Sequence, residues 1–404
     1  MSYSTRIYQA IEEIRETDWQ KISLEGGLYY SYYWLRSVQG QLTPHTFYIT
    51  VWADEQLVAG MPCYLIDNPK TYTFFNIPRL LTDETILQEI SPFLEKEERE
   101  QLQQKTAILR PQQNRLYPTL ISTAPYGYTS TLCCRQDLDK ETTQVTDMLL
   151  DAFEQITAEN NVSSSAFLYV PQHHNLLPAK LIGRRYMPSL LGAESILPIT
   201  WNSFDDYLLS RRKKRRESIR RERRVFQKNG FTTQIGDASS LDDTIVRLQS
   251  NLQKKYGHSG DPERLKQGFE QIKTHLAPFV RVYLAQKNEQ VVGYALFYEM
   301  NKTYYCKQVG FDYARLGNNF CYFNIGFYEP IIQAIKSGII SIHYGAGAYE
   351  AKLGRGCKLN HLLGFFKCSP AADDLKSDIA AILELERIGR TAQFDAMSSS
   401  EITV

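Results

Sequence analysis

A chain of 404 residues with 43% hydrophobic and 23% charged side chains can bury a sizeable core, and its length favours two or three domains over one. The formal charge is only +1, so no general affinity for DNA or for an anionic membrane is implied. Seven cysteines without a CxxC pair argue against a disulfide framework or a zinc site.

The opening stretch MSYSTRIYQAIEEIRETDW is polar and lacks a signal-peptide core, and no run approaches the roughly 20 apolar residues of a bilayer span. These features predict a cytoplasmic protein with no transmembrane segment. Residues 47–66, FYITVWADEQLVAGMPCYLI, then read as a β-hairpin with the polar turn Ala53-Asp54-Glu55-Gln56. Strand-like RLYPTLIS and YTSTLCC follow, then the helix-like TTQVTDMLLDAFEQITAEN and the strand-like SSAFLYV. His173 and His174 come after a proline in a predicted loop.

The strand-like ESILPITW gives way to RRKKRRESIRRERR, residues 211–224, which holds ten basic and two acidic side chains. That run carries +8, leaving −7 for the rest of the chain. Ser203 followed by Asp206 has N-cap chemistry, and Asn229-Gly230 supplies a stop, so the spacing predicts one helix from about Ser203 to Lys228. At the ordinary repeat, Leu208, Ile219 and Phe226 share one meridian, with Arg212 and Arg215 within about 40° of it, Arg223 about 60° away and Arg216 about 80°. Two outcomes stay open for these arginines and for Arg220: pairing or snorkelling within the fold, or binding an anionic ligand through guanidinium forks.

Residues 280–300, VRVYLAQKNEQVVGYALFYEM, repeat the hairpin grammar at an offset of 234 residues, with Glu289-Gln290-Val291-Val292 answering Glu55-Gln56-Leu57-Val58. TYYCKQVGF, the helix-like CYFNIGFYEPIIQAIKSG and the strand IISIHYG come next. The mixed signals repeat, which predicts two α/β domains of related topology, residues 1–197 and 198–390, with a disordered tail over 391–404.

In IHYGAGAYEAKLGRGCK, glycines 345, 347, 354 and 356 permit a tight loop with close backbone approach to a ligand. Lys352 and Arg355 bring positive charge to it; Gly347 and Tyr349 complete the candidate binding set there. Glu350 and His343 are candidate proton acceptors. Tyr305 and Lys307 share one face of TYYCKQVGF with Thr303, Tyr305 as a catalytic candidate and Lys307 as a binding one. No G-x-S-x-G elbow and no H-E-x-x-H occurs, so neither a nucleophile elbow nor a metal is expected.

The SFDDYL start, the helix ending RRERRVFQKNGF and the Lys352-Leu353-Gly354-Arg355-Gly356 core resemble the FemAB-like branch of the GNAT acyltransferase superfamily, a bacterial peptidoglycan biosynthesis or recognition group. LVAGMPCYL and YPTLISTAPYGYTSTL fit it too. The resemblance implies an α/β (α+β) fold of two tandem GNAT-like domains, each a mixed sheet flanked by helices. It also implies acyl transfer to an amine, from acyl-CoA or aminoacyl-tRNA as co-substrate and with no tightly bound cofactor. The CoA-cradling signature R/Q-x-x-G-x-G/A has only Arg315-Leu316-Gly317-Asn318-Asn319 as its nearest counterpart. A non-catalytic binding protein for RNA or an anionic cell-wall precursor is the alternative, and the oligomeric state is left open.

Overall fold

The computed structural model describes residues 2–403 apart from Asn175 and Asn318. It divides into two compact units, Met1–Ala193 with Asn360–Val404, and Glu194–Leu359. The division departs from the sequence reading in two respects: the boundary falls between residues 193 and 194 and not 197 and 198, and the segment from residue 360 onward belongs to the first unit, because the strand and helix it forms complete that unit's core.

In the first unit the sheet runs β1 (Tyr3–Tyr8), β2 (Thr46–Ala53), β3 (Gln56–Ile66), β4 (Thr119–Ser122), β6 (Ser164–Pro171) and β13 (Lys358–Cys368), with β5 (Cys133–Cys134) paired to β3. Neighbours are antiparallel except β4 and β6, which are parallel. The sheet of the second unit runs β8 (Phe231–Gly236), β9 (Val280–Lys287), β10 (Gln290–Met300), β11 (Thr303–Phe311), β12 (Ser341–His343) and the end of β7 (Met187–Pro198). Again all neighbours are antiparallel except one pair, β11 and β12. Order and sense are therefore the same in both units.

The hairpins form where the sequence places them. Asp54 in the first turn, and Asn288 with Glu289 in the second, have positive φ, the latter two being the left-handed pair of a two-residue turn whose twist matches the flanking strands. Between β4 and β6 the predicted helix spans Thr142–Glu159 and buries Val145, Leu149 and Phe153. Its counterpart after β11 is α-helical at Cys321–Phe323, widens to a π turn over Asn324–Tyr328, and returns to α at Glu329–Lys336. All seven cysteines are free thiols.

Two expectations are corrected. The tail is not disordered: a helix covers Lys376–Thr403, and Ile379, Ile382, Leu383, Leu385 and Phe394 are buried at helical spacing. The basic segment is not one helix but two, Phe204–Leu209 and Lys213–Lys228. Ser203 Oγ does accept from the Asp206 amide at 3.0 Å, and Gly230 ends the second helix at φ 76°. Between the two, extended Arg212 resets the helical phase, so Arg212 and Arg215 are exposed and not edged against the interior. The buried stripe of the basic helix is Ile219, Glu222 and Phe226.

Candidate active site

In the second unit β11 and β12 pair over three positions, ending at Tyr305 opposite His343. β12 stops there while β11 continues to Phe311, so one edge of β11 opens beyond Tyr305. At the opening the register between β10 and β11 slips: Phe297 faces Cys306, Leu296 faces Gln308, and Lys307 is the residue skipped, a β-bulge. Burial lowers the half-buried Lys307 ammonium to about 8, the neighbouring Cys306 acting weakly in the other direction.

His343 Nδ1 lies 2.8 Å from Glu194 Oε1, and the imidazole packs on the Tyr305 ring with centroids 5.0 Å apart. Both members of this pair are largely covered, with 23% and 15% of their side chains exposed. An ionised carboxylate only accepts, so a neutral imidazole in this contact would carry its proton on Nδ1 and offer Nε2 as an acceptor. Glu194 is the residue that sequence reasoning missed. Its signal was faint: a lone carboxylate in the apolar strand stretch ESILPITW.

The glycine loop follows directly on β12. Lys352 is buried, and its ammonium donates to the carbonyls of Tyr344, Gly345 and Ala346 at 2.7, 3.0 and 2.9 Å. Burial pushes Lys352 down to about 8, but three acceptors for three protons hold it as the cation. Its charge folds the loop; it has no donor left for a ligand. Gly345, Gly347 and Ala348 take positive φ around it, and Ala346, Gly347, Ala348 and Glu350 are exposed, with Tyr349 half-buried.

Arg355 is also turned inward, only 2% exposed. It donates to Glu222 Oε2 at 3.0 Å, to the Tyr328 hydroxyl at 3.2 Å and to the Ala351 carbonyl at 2.9 Å, and its guanidinium carbon stands 3.4 Å from the Phe323 ring centroid. Ser218 and Tyr328 donate to the same Glu222 carboxylate. The expected ligand contacts of Lys352 and Arg355 are thus replaced by internal ones, because both side chains lie beneath the loop and not on it.

Glycines 354 and 356 have a different use from the one read in the sequence. A Cβ on Gly354 would meet Arg215 Nη2 at 2.7 Å, and one on Gly356 would meet Arg211 Nη1 at 2.0 Å, so both let guanidiniums lie on the backbone. Arg216 is half-buried, with Nη1 3.4 Å from the Arg211 carbonyl, and Arg223 is half-buried over the Phe204 ring at 4.5 Å. Arg212, Lys213, Lys214 and Arg220 remain exposed on the basic helix or at its start. The structure therefore groups His343, Tyr305 and Glu194 at the strand opening, and separates them in kind from the buried Lys352 and Arg355.

Arg315 to Asn319 does link β11 to the following helix, with Arg315 Nε 3.5 Å from Asp312 and Gly317 at φ 51°. Asn318 of that stretch lies outside the described residues.

Two sheets of one strand order, each with a parallel pair inside an otherwise antiparallel array, define a tandem GNAT-like architecture. The chain belongs to the FemAB-like family, described as peptidoglycan biosynthesis/recognition, whose sequence profile matches residues 82–401. The crystal structure of FemX superposes with a TM-score of 0.60 at 10% identity, over 94% of this chain and 100% of that one. A tandem GNAT protein from the clavulanic acid biosynthesis pathway gives 0.48 at 8% identity, over 91% and 98%. The C-terminal domain of a putative lysylphosphatidylglycerol synthetase from Agrobacterium fabrum gives 0.45 at 11%, over 65% and 81%. No curated protein matches the sequence. Among the described residues, no helix is long and apolar enough to cross a membrane.

Proposed function

We propose that the protein is an N-acyltransferase that joins an activated acyl or aminoacyl group to an amine on a cell-wall precursor. The observation that carries this reading is the His343–Glu194 pair at the point where β11 and β12 part. Amide formation needs a neutral amine, a stabilised oxyanion and a proton route. In the proposed reaction the extended donor lies along the open edge of β11, and backbone N–H groups near the Lys307 bulge bind the developing oxyanion. Nε2 of His343 takes the proton of the attacking amine, Glu194 stabilises the imidazolium, and the proton passes to the leaving thiolate or ribose oxygen as the tetrahedral centre collapses. Tyr305 holds the imidazole plane. The exposed cations Arg212, Lys213, Lys214 and Arg220 attract the anionic part of the donor or acceptor. FemAB-like membership supports a cell-wall acceptor, and the donor is either acyl-CoA or aminoacyl-tRNA.

The test is amide formation from panels of acyl-CoA and charged tRNA, read by mass spectrometry. His343→Ala should lower kcat by roughly 10²–10³-fold, and Glu194→Gln should lower it less while moving the pH profile. Activity that is abolished by RNase identifies an aminoacyl-tRNA donor; activity that survives RNase and needs a thioester identifies CoA. No product from either panel would favour a binding protein over an enzyme.

A further inference from the structure

The basic helix carries more charge than the fold consumes. Its ion pair, Glu222 with Arg355, lies on the stripe that Ile219 and Phe226 bury. At the ordinary helical repeat Lys213, Lys214, Arg220, Arg221, Arg224 and Lys228 all fall within about 65° of the opposite meridian. All six are exposed, and among the described residues none of them joins an ion pair; Glu217 is the acid that shares their face. Arg220 and Arg224, and again Arg224 and Lys228, stand four residues apart, a spacing that sets like charges against each other in water.

We infer that this face docks the protein on an anionic lipid surface. The row from Lys213 to Lys228 is about 22 Å long and lies on one side of a straight element, which suits a plane of negative headgroups. Arg221, Arg224 and Lys228, which the proposed reaction leaves unused, are then employed. The near-neutral charge of the whole chain does not oppose this, because salt screens exposed charges beyond about 10 Å and the partner meets only the local row.

An RNA backbone would meet the same charge, and what favours lipid is the apolar element beside it. Leu209, four residues ahead of Lys213, is 65% exposed. It stands at the elbow where Arg211 turns onto the Trp201 and Tyr207 rings, 5.7 Å from each centroid. Two residues before Trp201, the Ile199 amide donates at 2.9 Å to the carbonyl of Ile340, whose side chain is 60% exposed. Aliphatic side chains held in water gain free energy by entering the boundary between headgroups and acyl chains, and gain none from phosphates.

The test needs no turnover, so its outcome is separate from that of the acyltransferase reading. The full chain is sedimented with sucrose-loaded vesicles of phosphatidylcholine alone or of equimolar phosphatidylglycerol and phosphatidylcholine. Binding should be confined to the anionic vesicles and should fade with added salt. Arg224→Gln with Lys228→Gln should weaken it by about 25-fold, or about fivefold per charge removed. Leu209→Gln should weaken it by roughly 10-fold. Lys254→Gln with Arg264→Gln, an exposed pair on the helices Asp243–Lys255 and Pro262–Leu276, should leave it unchanged. Circular dichroism of each variant verifies that losses are read on folded protein. Equal binding to neutral vesicles, equal losses in the two paired variants, or binding to bulk tRNA with none to anionic vesicles would overturn the inference.

Discussion

Glu386 lies inside the first unit, 3.4 Å from Ser189 Oγ, and burial raises its carboxyl to about 7 against the pull of Arg390. Arg390 also reaches Glu89 at 3.0 Å. The ordinary glutamate value is near 4.3, so between that and about 7 the folded protein keeps a proton that the unfolded chain has lost. The stabilisation is complete below the ordinary value and declines as pH rises through about 7. Glu386→Gln should remove that decline, narrowing the stability difference between pH 5 and pH 8 by up to about 3 kcal/mol in urea unfolding. An unchanged difference would show that the buried carboxyl does not titrate in this range. Single residues such as this were the least legible in the sequence. Composition places lysine, arginine and glutamate at the surface, so nothing marked Lys352, Arg355 or Glu386 as interior. Glu222 went unread too, although its place three residues after Ile219 and four before Phe226 puts it on their stripe.

Among the elements, the basic helix and the turn at Gly354 to Gly356 are joined by one buried ion pair, Arg355 with Glu222, both under a tenth exposed. Removing one partner strands the other charge in the interior. Glu222→Ala should cost about 3–5 kcal/mol, seen as a lower urea midpoint, whereas Glu217→Ala on the exposed side of the same helix should change it by less than about 0.5 kcal/mol. Equal effects would mean that the pair holds nothing. Both hairpins were legible because asparagine, aspartate and charged residues between β-branched runs specify a turn locally. The break over Ser210 to Arg212 was not. Arg211 leaves the helical path to lie between 5 and 6 Å from the Trp201 and Tyr207 rings, contacts made through tertiary structure and invisible to a helical repeat. The π turn at Asn324–Tyr328 was equally hidden, since a widened turn has the same composition as an ordinary one.

At the scale of the whole molecule, the repeat of strand order was readable from the two hairpins and their followers, while the exchange of closing strands was not. Nothing in KLNHLLGFFKC says which sheet it will join; its alternation fits either. In the structure Leu362 to Cys368 pair with β6, and the helix Lys376–Thr403 covers the same unit. A fragment of residues 1–197 should therefore remain unfolded by circular dichroism and amide exchange. The same segment cut at residue 193 and joined by a short Gly-Ser linker to residues 360–404 should fold cooperatively. If the shorter fragment folds as stably as the joined one, the closing strand and helix are dispensable. On the ribosome this arrangement inverts the usual order of completion, in which domains finish from the N-terminus onward. The unit whose first strand emerges earliest must hold β4 and β6 with an open edge until the second unit has been made and residues 360–368 arrive. Its exposure to misassembly is set by how long the ribosome takes to translate the intervening unit.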